Sequence, residues 1–361
     1  MKWEKVKQEV NFYKQLKPKN DWIEIYKNLN DFKYTEEELR QLYNTNENAE
    51  IKIKALNQLN ILKDYTYRKD FNNVITVKLV IPSGCNAKCE FCYNKNNNVM
   101  SYNKEEFLNN FINSLEYLIM EINGRQPISL DITGNEPTFD TKLLIKVLLK
   151  LRRFYLKDKI CRITITTNGF NLDKVIPYFK GVIDYINISI HHYDKEERDK
   201  ILGTKSLSIE EYRNLIAKLL DIGIDASAVC VIHKDISKFN IFLNNFIFWC
   251  KEAGFQSLRI RNNVFWKNSK FKEYMQQTIN RKDIHTIQYE DTNDSLWCRL
   301  SDPEGFFIFM IKGVEETGAV TRGIEYVIND DGLCYTDFYK KEPIEEYKFP
   351  IGFIFDKKGI K

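Results

Sequence analysis

Val74-Ile75-Thr76-Val77-Lys78-Leu79-Val80-Ile81, and then Cys85-Asn86-Ala87-Lys88-Cys89-Glu90-Phe91-Cys92-Tyr93: an apolar run opens almost directly into a C-x3-C-x2-C array. A short run rich in valine and isoleucine reads as a buried strand, which places the cysteines in the loop at its C-terminal end. Three clustered thiols are more than a core needs, and thiolates are the ligands of iron–sulfur clusters. Three of them on a four-iron cubane leave one iron without a protein ligand, open to a substrate or cofactor. Zinc in a structural site takes four closed ligands, and no further His or Cys follows nearby to supply a fourth.

Outward from this stretch, strands and helices alternate. Strands are expected at Val74–Ile81, Ile128–Thr133, Arg162–Thr167, Ile183–Ile190, Asp225–Ile232 and Ser257–Arg261. Helices are expected between them, at Lys104–Ile122, Thr141–Leu156, Leu172–Lys180, Ser208–Asp221 and Ile236–Ala253. Asn103 with Glu106, and Ser208 with Glu211, carry capping-box spacing. Repeated strand–helix units give a parallel sheet with right-handed crossovers.

The flanks differ. Residues 1–70 show helical periodicity in Trp3, Val6, Val10, Tyr13 and Leu16, and again in Ile51, Ala55, Leu59 and Leu62. They read as an N-terminal helical region before a core over 71–262. Residues 263–361 lose the regular alternation, with strands expected at Phe306–Ile311, Glu325–Ile328 and Leu333–Tyr335. The run from Phe306 to Ile311 is too apolar to stay exposed, so this segment is expected to close the core or to form a substrate lid.

Composition bounds the rest. The 361 residues are 43% hydrophobic and 29% charged, typical of a folded protein, and 54 Lys and Arg against 50 Asp and Glu leave +4. That balance gives no specific nucleic-acid signal. No uninterrupted apolar run is long enough to cross a bilayer, and no N-terminal apolar targeting stretch is present, so no membrane partner is expected. The expected location is cytoplasmic, where the eight cysteines stay reduced.

The second expected strand ends in Gly134-Asn135-Glu136-Pro137, the third in Thr166-Thr167-Asn168-Gly169 and the fourth in Asn187-Ile188-Ser189-Ile190. In parallel α/β sheets function gathers at these C-terminal ends. With the cysteine loop, they resemble the radical S-adenosylmethionine (radical SAM) superfamily, whose cysteine spacing carries an aromatic residue before the last cysteine, here Phe91. The resemblance implies an α/β fold, a (β/α)6 partial TIM barrel, with six strands agreeing in number. It implies a [4Fe-4S] cluster on Cys85, Cys89 and Cys92, and S-adenosylmethionine bound by Gly134, Asn135, Glu136 and Pro137. This segment matches the superfamily's Gly-Gly-Glu-Pro motif, with Asn135 in place of the second glycine. A carboxylate with neighbouring carbonyls suits the cofactor's ammonium. Phe91 and Tyr93 would flank adenine, and Thr167 and Ser189 would meet ribose or carboxylate.

The implied activity is reductive cleavage of S-adenosylmethionine to methionine and a 5′-deoxyadenosyl radical that takes hydrogen from a substrate. The substrate is expected to be a small metabolite or nucleotide, with a ribosomally made peptide as the alternative. A non-catalytic redox protein is the rival from another class. An electron donor such as flavodoxin or ferredoxin is the expected partner. His191 and His192 follow the fourth strand, where substrate would lie, and Cys298 or Cys334 could give a hydrogen atom to a substrate radical. Arg259, Arg261, Lys267, Arg299 and Arg322 are candidate contacts for phosphate or carboxylate.

Overall fold

The computed structural model describes residues 41, 45, 75–92, 103–122, 128–155, 160, 162–263, 270–291, 296–312 and 325–335. The expected helices of residues 1–70 therefore lie outside the described residues, except that Gln41 and Thr45 are helical.

Six strands run in chain order and pair in parallel: β1 (Ile75–Ile81), β2 (Ile128–Gly134), β3 (Arg162–Thr167), β4 (Tyr185–Ser189), β5 (Asp225–Ile232) and β6 (Ser257–Asn262). Helices α1 (Lys104–Ile122), α2 (Thr141–Tyr155), α3 (Leu172–Val175), α4 (Lys195–Leu202), α5 (Ile209–Asp221) and α6 (Phe239–Glu252) make the crossovers. Each strand turns alternate residues to opposite faces. Val77, Leu79, Leu130, Ile132, Ile163, Ile165, Ile186, Ile188, Leu258 and Ile260 face one way and join Phe107, Phe111, Leu144 and Phe246 of the helices in a single buried core. The other face is polar, carrying Lys78, Asp131, Thr164, Asn187, Ser227 and Arg259 in alternation with those apolar residues.

Local signals explain most boundaries. Ser208 and Glu211 cap α5 reciprocally, Glu211 N to Ser208 Oγ at 3.2 Å and Ser208 N to Glu211 Oε2 at 2.7 Å. The expected helix Leu172–Lys180 stops at Val175 and tightens into a 3-10 turn, Ile176–Tyr178, with Pro177 at its start. Proline cannot donate the next helical hydrogen bond. Helix α4 escaped the sequence reading because its surface is almost wholly charged, although Asp194 caps it through Glu197 N at 3.0 Å.

The segment after residue 262 joins the same sheet. Strand β9 (Phe307–Lys312) pairs in parallel with β6, and β8 (Leu296–Ser301) and β7 (His285–Asp291) add antiparallel beyond it. Helix α7 (Phe271–Ile279) precedes them. At the opposite side β10 (Glu325–Ile328) pairs in parallel with β1, and β11 (Cys334–Tyr335) follows antiparallel. The order is β11-β10-β1-β2-β3-β4-β5-β6-β9-β8-β7. The six expected parallel strands thus gain a parallel neighbour at either end. Leu300, Ile308, Met310, Tyr326 and Ile328 lie in the common core, so these strands share it, while Phe307, Phe309 and Ile287 pack as a small separate cluster.

The turn between β10 and β11 docks on α1. Ser114 Oγ donates to Gly332 O at 2.9 Å, and Asn110 Nδ2 to Asp331 O at 3.0 Å. Gly332 has φ +80°, and a Cβ there would stand 2.6 Å from Phe107 O and 2.8 Å from Phe111 N. Both obstacles are helix backbone. Gly332→Ala is expected to destabilise the fold by at least about 2 kcal/mol, since left-handed strain alone costs about 1–2 kcal/mol. A wild-type urea midpoint would contradict this.

Candidate active site

The loops after β1, β2 and β3 are sewn together by hydrogen bonds. Glu136 N donates to Gly84 O at 3.2 Å, Ser83 Oγ to Glu136 O at 2.7 Å, and Asn135 Nδ2 to Ser83 O at 2.8 Å. Asn168 Nδ2 reaches Asn86 Oδ1 at 2.9 Å, within the cysteine loop itself. On its far side that loop is held by Lys88 N donating to Leu202 O at 2.7 Å.

Glu136 lies at the centre and is 1% exposed. Its Oε1 accepts from Thr138 N at 3.0 Å, Thr138 Oγ1 at 2.6 Å and Thr167 Oγ1 at 2.5 Å, and its Oε2 accepts from Asn168 N at 2.6 Å. Burial raises its pKa, and those donors pull the other way. The carboxylate expected to meet an ammonium is thus occupied by neutral donors that join the ends of β2 and β3.

Cys85 is exposed, and Cys89 and Cys92 are half-buried free thiols. Burial raises Cys85, with smaller contributions from the charges of Glu136 and Cys92. Burial first, then the charges of Cys92 and Cys85, push Cys89 up to about 12. The three sulfurs are close enough to repel as thiolates. Among the described residues no three His, Cys, Asp or Glu side chains close around a single ion.

Phe91, between the last two cysteines, sets its ring 4.8 Å from that of His191 and 5.0 Å from that of His233. These histidines follow β4 and β5. His191 has φ 62° and is buried, with Val231 N donating to its Nδ1 at 3.2 Å. His192 turns away to stack on Tyr193 at 4.6 Å and to meet Phe242 at 5.3 Å. Arg198, 1% exposed, fixes this loop by donating to His192 O at 2.9 Å and Tyr193 O at 3.1 Å, with its guanidinium 5.0 Å from the Trp249 ring centre.

The radical SAM superfamily model matches residues 79–238, which span the cysteine loop and the ends of β2 to β5. Residues 79–238 thus resemble the radical SAM superfamily. It is similar to an S-adenosylmethionine-dependent nucleotide dehydratase of Flammeovirga pacifica, 25% identical over 306 residues that cover 77% of this chain and 98% of the relative. It is also similar to a glycyl-radical enzyme activating enzyme of Methanocaldococcus jannaschii, 26% identical over 189 residues, 50% of this chain and 67% of the relative. Among solved structures, SuiB of Streptococcus suis matches with a TM-score of 0.50 at 11% identity, over 86% of this chain and 72% of SuiB. In the SuiB structure bound to precursor peptide SuiA, the match spans only about half of that chain, 46%. At this identity the likeness is one of fold: a mixed α/β structure with a large parallel sheet.

Members of that superfamily use a [4Fe-4S] cluster and S-adenosylmethionine. The cysteine loop fits that demand in its donor set. It offers three sulfurs on one short, partly exposed loop, tied to both neighbouring strand ends. Mutual repulsion of the thiolates is relieved once iron replaces their protons.

The remaining expected residues are distributed unevenly. Thr167 is buried beneath Glu136, and Ser189 at the end of β4 is half-buried with no hydroxyl partner among the described residues. Tyr93, Lys267 and Arg322 lie outside the described residues. Cys298 and Cys334 are fully buried in the common core, and burial pushes both thiols up to about 12. That is the setting of small apolar residues, with no exposed sulfur to hand on a hydrogen atom. His233 and Arg198 were missed by sequence reading. Only their contacts across loops mark them, and a lone His or Arg in a sequence carries no such signal.

Burial, then the charge of His233, pushes the pKa of His191 down to about 3. An unfolded histidine takes its proton near pH 6.5. Between these values only the unfolded chain binds the proton, so His191 stability is lost as pH falls, by about 1.4 kcal/mol per unit. Glu136 acts oppositely, because its raised pKa lets the folded state hold a proton above the ordinary carboxylate value. His191→Asn, which tolerates the left-handed backbone, isolates the histidine. Its urea midpoint is expected to change less than wild type between pH 6.5 and 5, and an equal change would contradict the assignment.

Proposed function

We propose that the chain is a radical SAM enzyme acting on a small anionic metabolite or nucleotide, with Cys85, Cys89 and Cys92 as the cluster ligands. The carrying observation is the hydrogen-bonded seam between the cysteine loop and the Gly134–Pro137 loop, closed by Ser83, Gly84, Asn135 and Glu136. A simple electron carrier needs no second strand-end loop stitched to its ligand loop.

In this reading β1–β6 form the (β/α)6 partial barrel over residues 71–262. Residues 1–70 and 263–361 flank it, the latter lining the substrate side. When bound, the cluster and S-adenosylmethionine supply reductive cleavage of the sulfonium and a carbon-centred radical able to take hydrogen from substrate. The chain's own residues hold and shield. Backbone carbonyls of Gly134 and Asn135 accept from the cofactor's ammonium, since the Glu136 oxygens are already engaged. Pro137 fixes the turn that presents them, and Ser189 offers a hydroxyl to ribose. Thr167 acts through Glu136, and Phe91 steadies the loop between Cys89 and Cys92 against His191 and His233, with Tyr93 flanking adenine. A flavodoxin or ferredoxin supplies the electron in the cytoplasm.

The small-molecule class is supported by the nucleotide dehydratase relative, matched along 98% of its length. The SuiB likeness concerns fold and names no substrate for this chain. Anaerobically reconstituted, dithionite-reduced protein should convert S-adenosylmethionine to methionine and 5′-deoxyadenosine. The cofactor should also perturb the reduced cluster's electron paramagnetic resonance spectrum. An unchanged spectrum with no 5′-deoxyadenosine would sink the enzyme reading in favour of a closed redox centre.

A further inference from the structure

The polar face of the sheet holds an arginine whose surroundings are built for an anion. Arg259 alternates on β6 with Leu258 and Ile260 of the helix-covered core, so its side chain rises from the opposite face. Its guanidinium carbon lies 5.1 Å from the Tyr185 ring centre and 4.8 Å from that of Phe309. Its Nε donates to Ser227 Oγ at 3.3 Å. Tyr185 and Ser257 hydrogen-bond Ser227 in turn. The guanidinium is thus held by two rings and a hydroxyl, with no carboxylate paired to it among the described residues.

A half-buried cation without a counter-charge is costly, and a planar guanidinium fixed in advance loses little freedom on gripping an oxyanion in a bidentate manner. One strand away, Asn187 is the register partner of Ser227. Its Nδ2 faces Thr166 Oγ1 at 3.4 Å, and its Oδ1 is buried without a hydrogen-bond partner. A buried acceptor left open calls for a donor. Acids on this face do not cancel the arginine. Asp131 is engaged by Thr164 on β3, and Asp225 lies at the start of β5, the end remote from the cysteine loop.

We propose that Arg259 anchors an oxyanion subsite on this face, taking a phosphate or carboxylate of the substrate, while Asn187 Oδ1 accepts an N–H or O–H of the same molecule. The proposal rests on the radical SAM reading. Arg259 pairs with Val229 and Val229 with Ser189, the last residue of β4, so its row is level with the strand ends, while its Nε turns to Ser227 on the same face. An anion held there places the rest of the same molecule beside the strand ends that lead into the site loops. Phosphate and carboxylate share this chemistry, so the two sources must be separated by experiment.

The test is anaerobic calorimetry on cluster-loaded protein with S-adenosylmethionine present, titrated at low salt with inorganic tripolyphosphate and, separately, with glutarate. Wild type is expected to bind one probe at a single site, and the probe that binds names the source. Arg259→Gln should weaken binding by roughly ten- to hundredfold, the range for a charged hydrogen bond. Arg213→Gln, on the surface of α5 where Arg213 meets Glu252, should leave it unchanged. If neither probe binds wild type, or if Arg259→Gln binds as wild type does, the subsite is refuted. Iron content and the spectral response to S-adenosylmethionine are read on the same samples. Their persistence alongside a failed titration removes the subsite and leaves the enzyme reading intact, whereas their absence in wild type removes that reading. Should Arg259→Gln fail to retain iron, Ser227→Ala frees the guanidinium with less disturbance. Weakened binding in that variant supports the subsite, and undiminished binding overturns it.

Discussion

Cys89→Ala is expected to abolish the cluster. Wild-type protein reconstituted without oxygen should carry about four irons per chain, as a cubane requires, and the variant close to none. Cys89 is the middle cysteine of the three, and the Cys92 N–H donates to its carbonyl at 3.2 Å, so the position of the last cysteine depends on this turn. Its thiol is pushed up to about 12 by burial and by the neighbouring sulfurs. Iron must therefore displace protons that the free loop holds firmly, and loading should improve with rising pH. Cys298→Ala serves as control, because that thiol is buried in the core on β8 and should leave iron unchanged. Stoichiometric zinc in wild type without iron–sulfur absorption would overturn the assignment, as would a Cys89→Ala protein with full iron.

The core strands were readable because one face of the sheet is buried under helices, which calls for apolar residues at every second position. Val77 to Ile81, Ile163 to Ile165 and Ala226 to Cys230 meet that demand and sit where the sequence puts them. Strand β7, His285–Asp291, lies at the outer end of the sheet, with His285, Thr286 and Tyr289 exposed, and Ile287 and Tyr289 alone are too short an alternation to mark it. Strand β8 does alternate, with Leu296, Cys298 and Leu300 buried, so its signal existed and was overlooked. Its pairing with β9, and the parallel placement of β9 beside β6, depend on long-range register that no local pattern encodes.

The site divides in the same way. Cysteine spacing and the Gly134–Pro137 segment are contiguous in the chain, and both were found. What joins them is not contiguous. Glu136 meets Thr167 and Asn168 across 31 and 32 residues, and Phe91 meets His191 and His233 across still more. Arg198 shows the limit most sharply. Sequence treats a charged residue amid Glu, Asp and Lys as solvated, yet here it is buried to hold two carbonyls of the His192–Tyr193 loop.

Glu136→Ala should separate cofactor response from iron binding. Removing the carboxylate leaves the N–H groups of Thr138 and Asn168 buried without acceptors, whereas the two threonine hydroxyls can turn to other partners. Thr138 Oγ1 already reaches Phe170 O. Each orphaned donor costs about 1–3 kcal/mol, so with two of them the variant is expected to lose about 2–6 kcal/mol of stability. The cysteine loop keeps its anchors, because Ser83 and Gly84 bond to the Glu136 backbone and not to its side chain. Iron should therefore stay bound. The ends of β2 and β3 come apart, the carbonyls of Gly134 and Asn135 lose their fixed aim, and the spectral change with S-adenosylmethionine should vanish together with 5′-deoxyadenosine formation. Glu136→Gln distinguishes hydrogen bonding from charge. Its amide oxygen still accepts from Thr138 and Thr167, but its NH2 confronts the Asn168 N–H, so stability and cleavage should fall between alanine and wild type. If Glu136→Gln matched alanine in cleavage while keeping wild-type stability, the negative charge would be what the cofactor needs. If Glu136→Ala cleaved S-adenosylmethionine at the wild-type rate, the joint between the strand ends would have no part in cofactor binding.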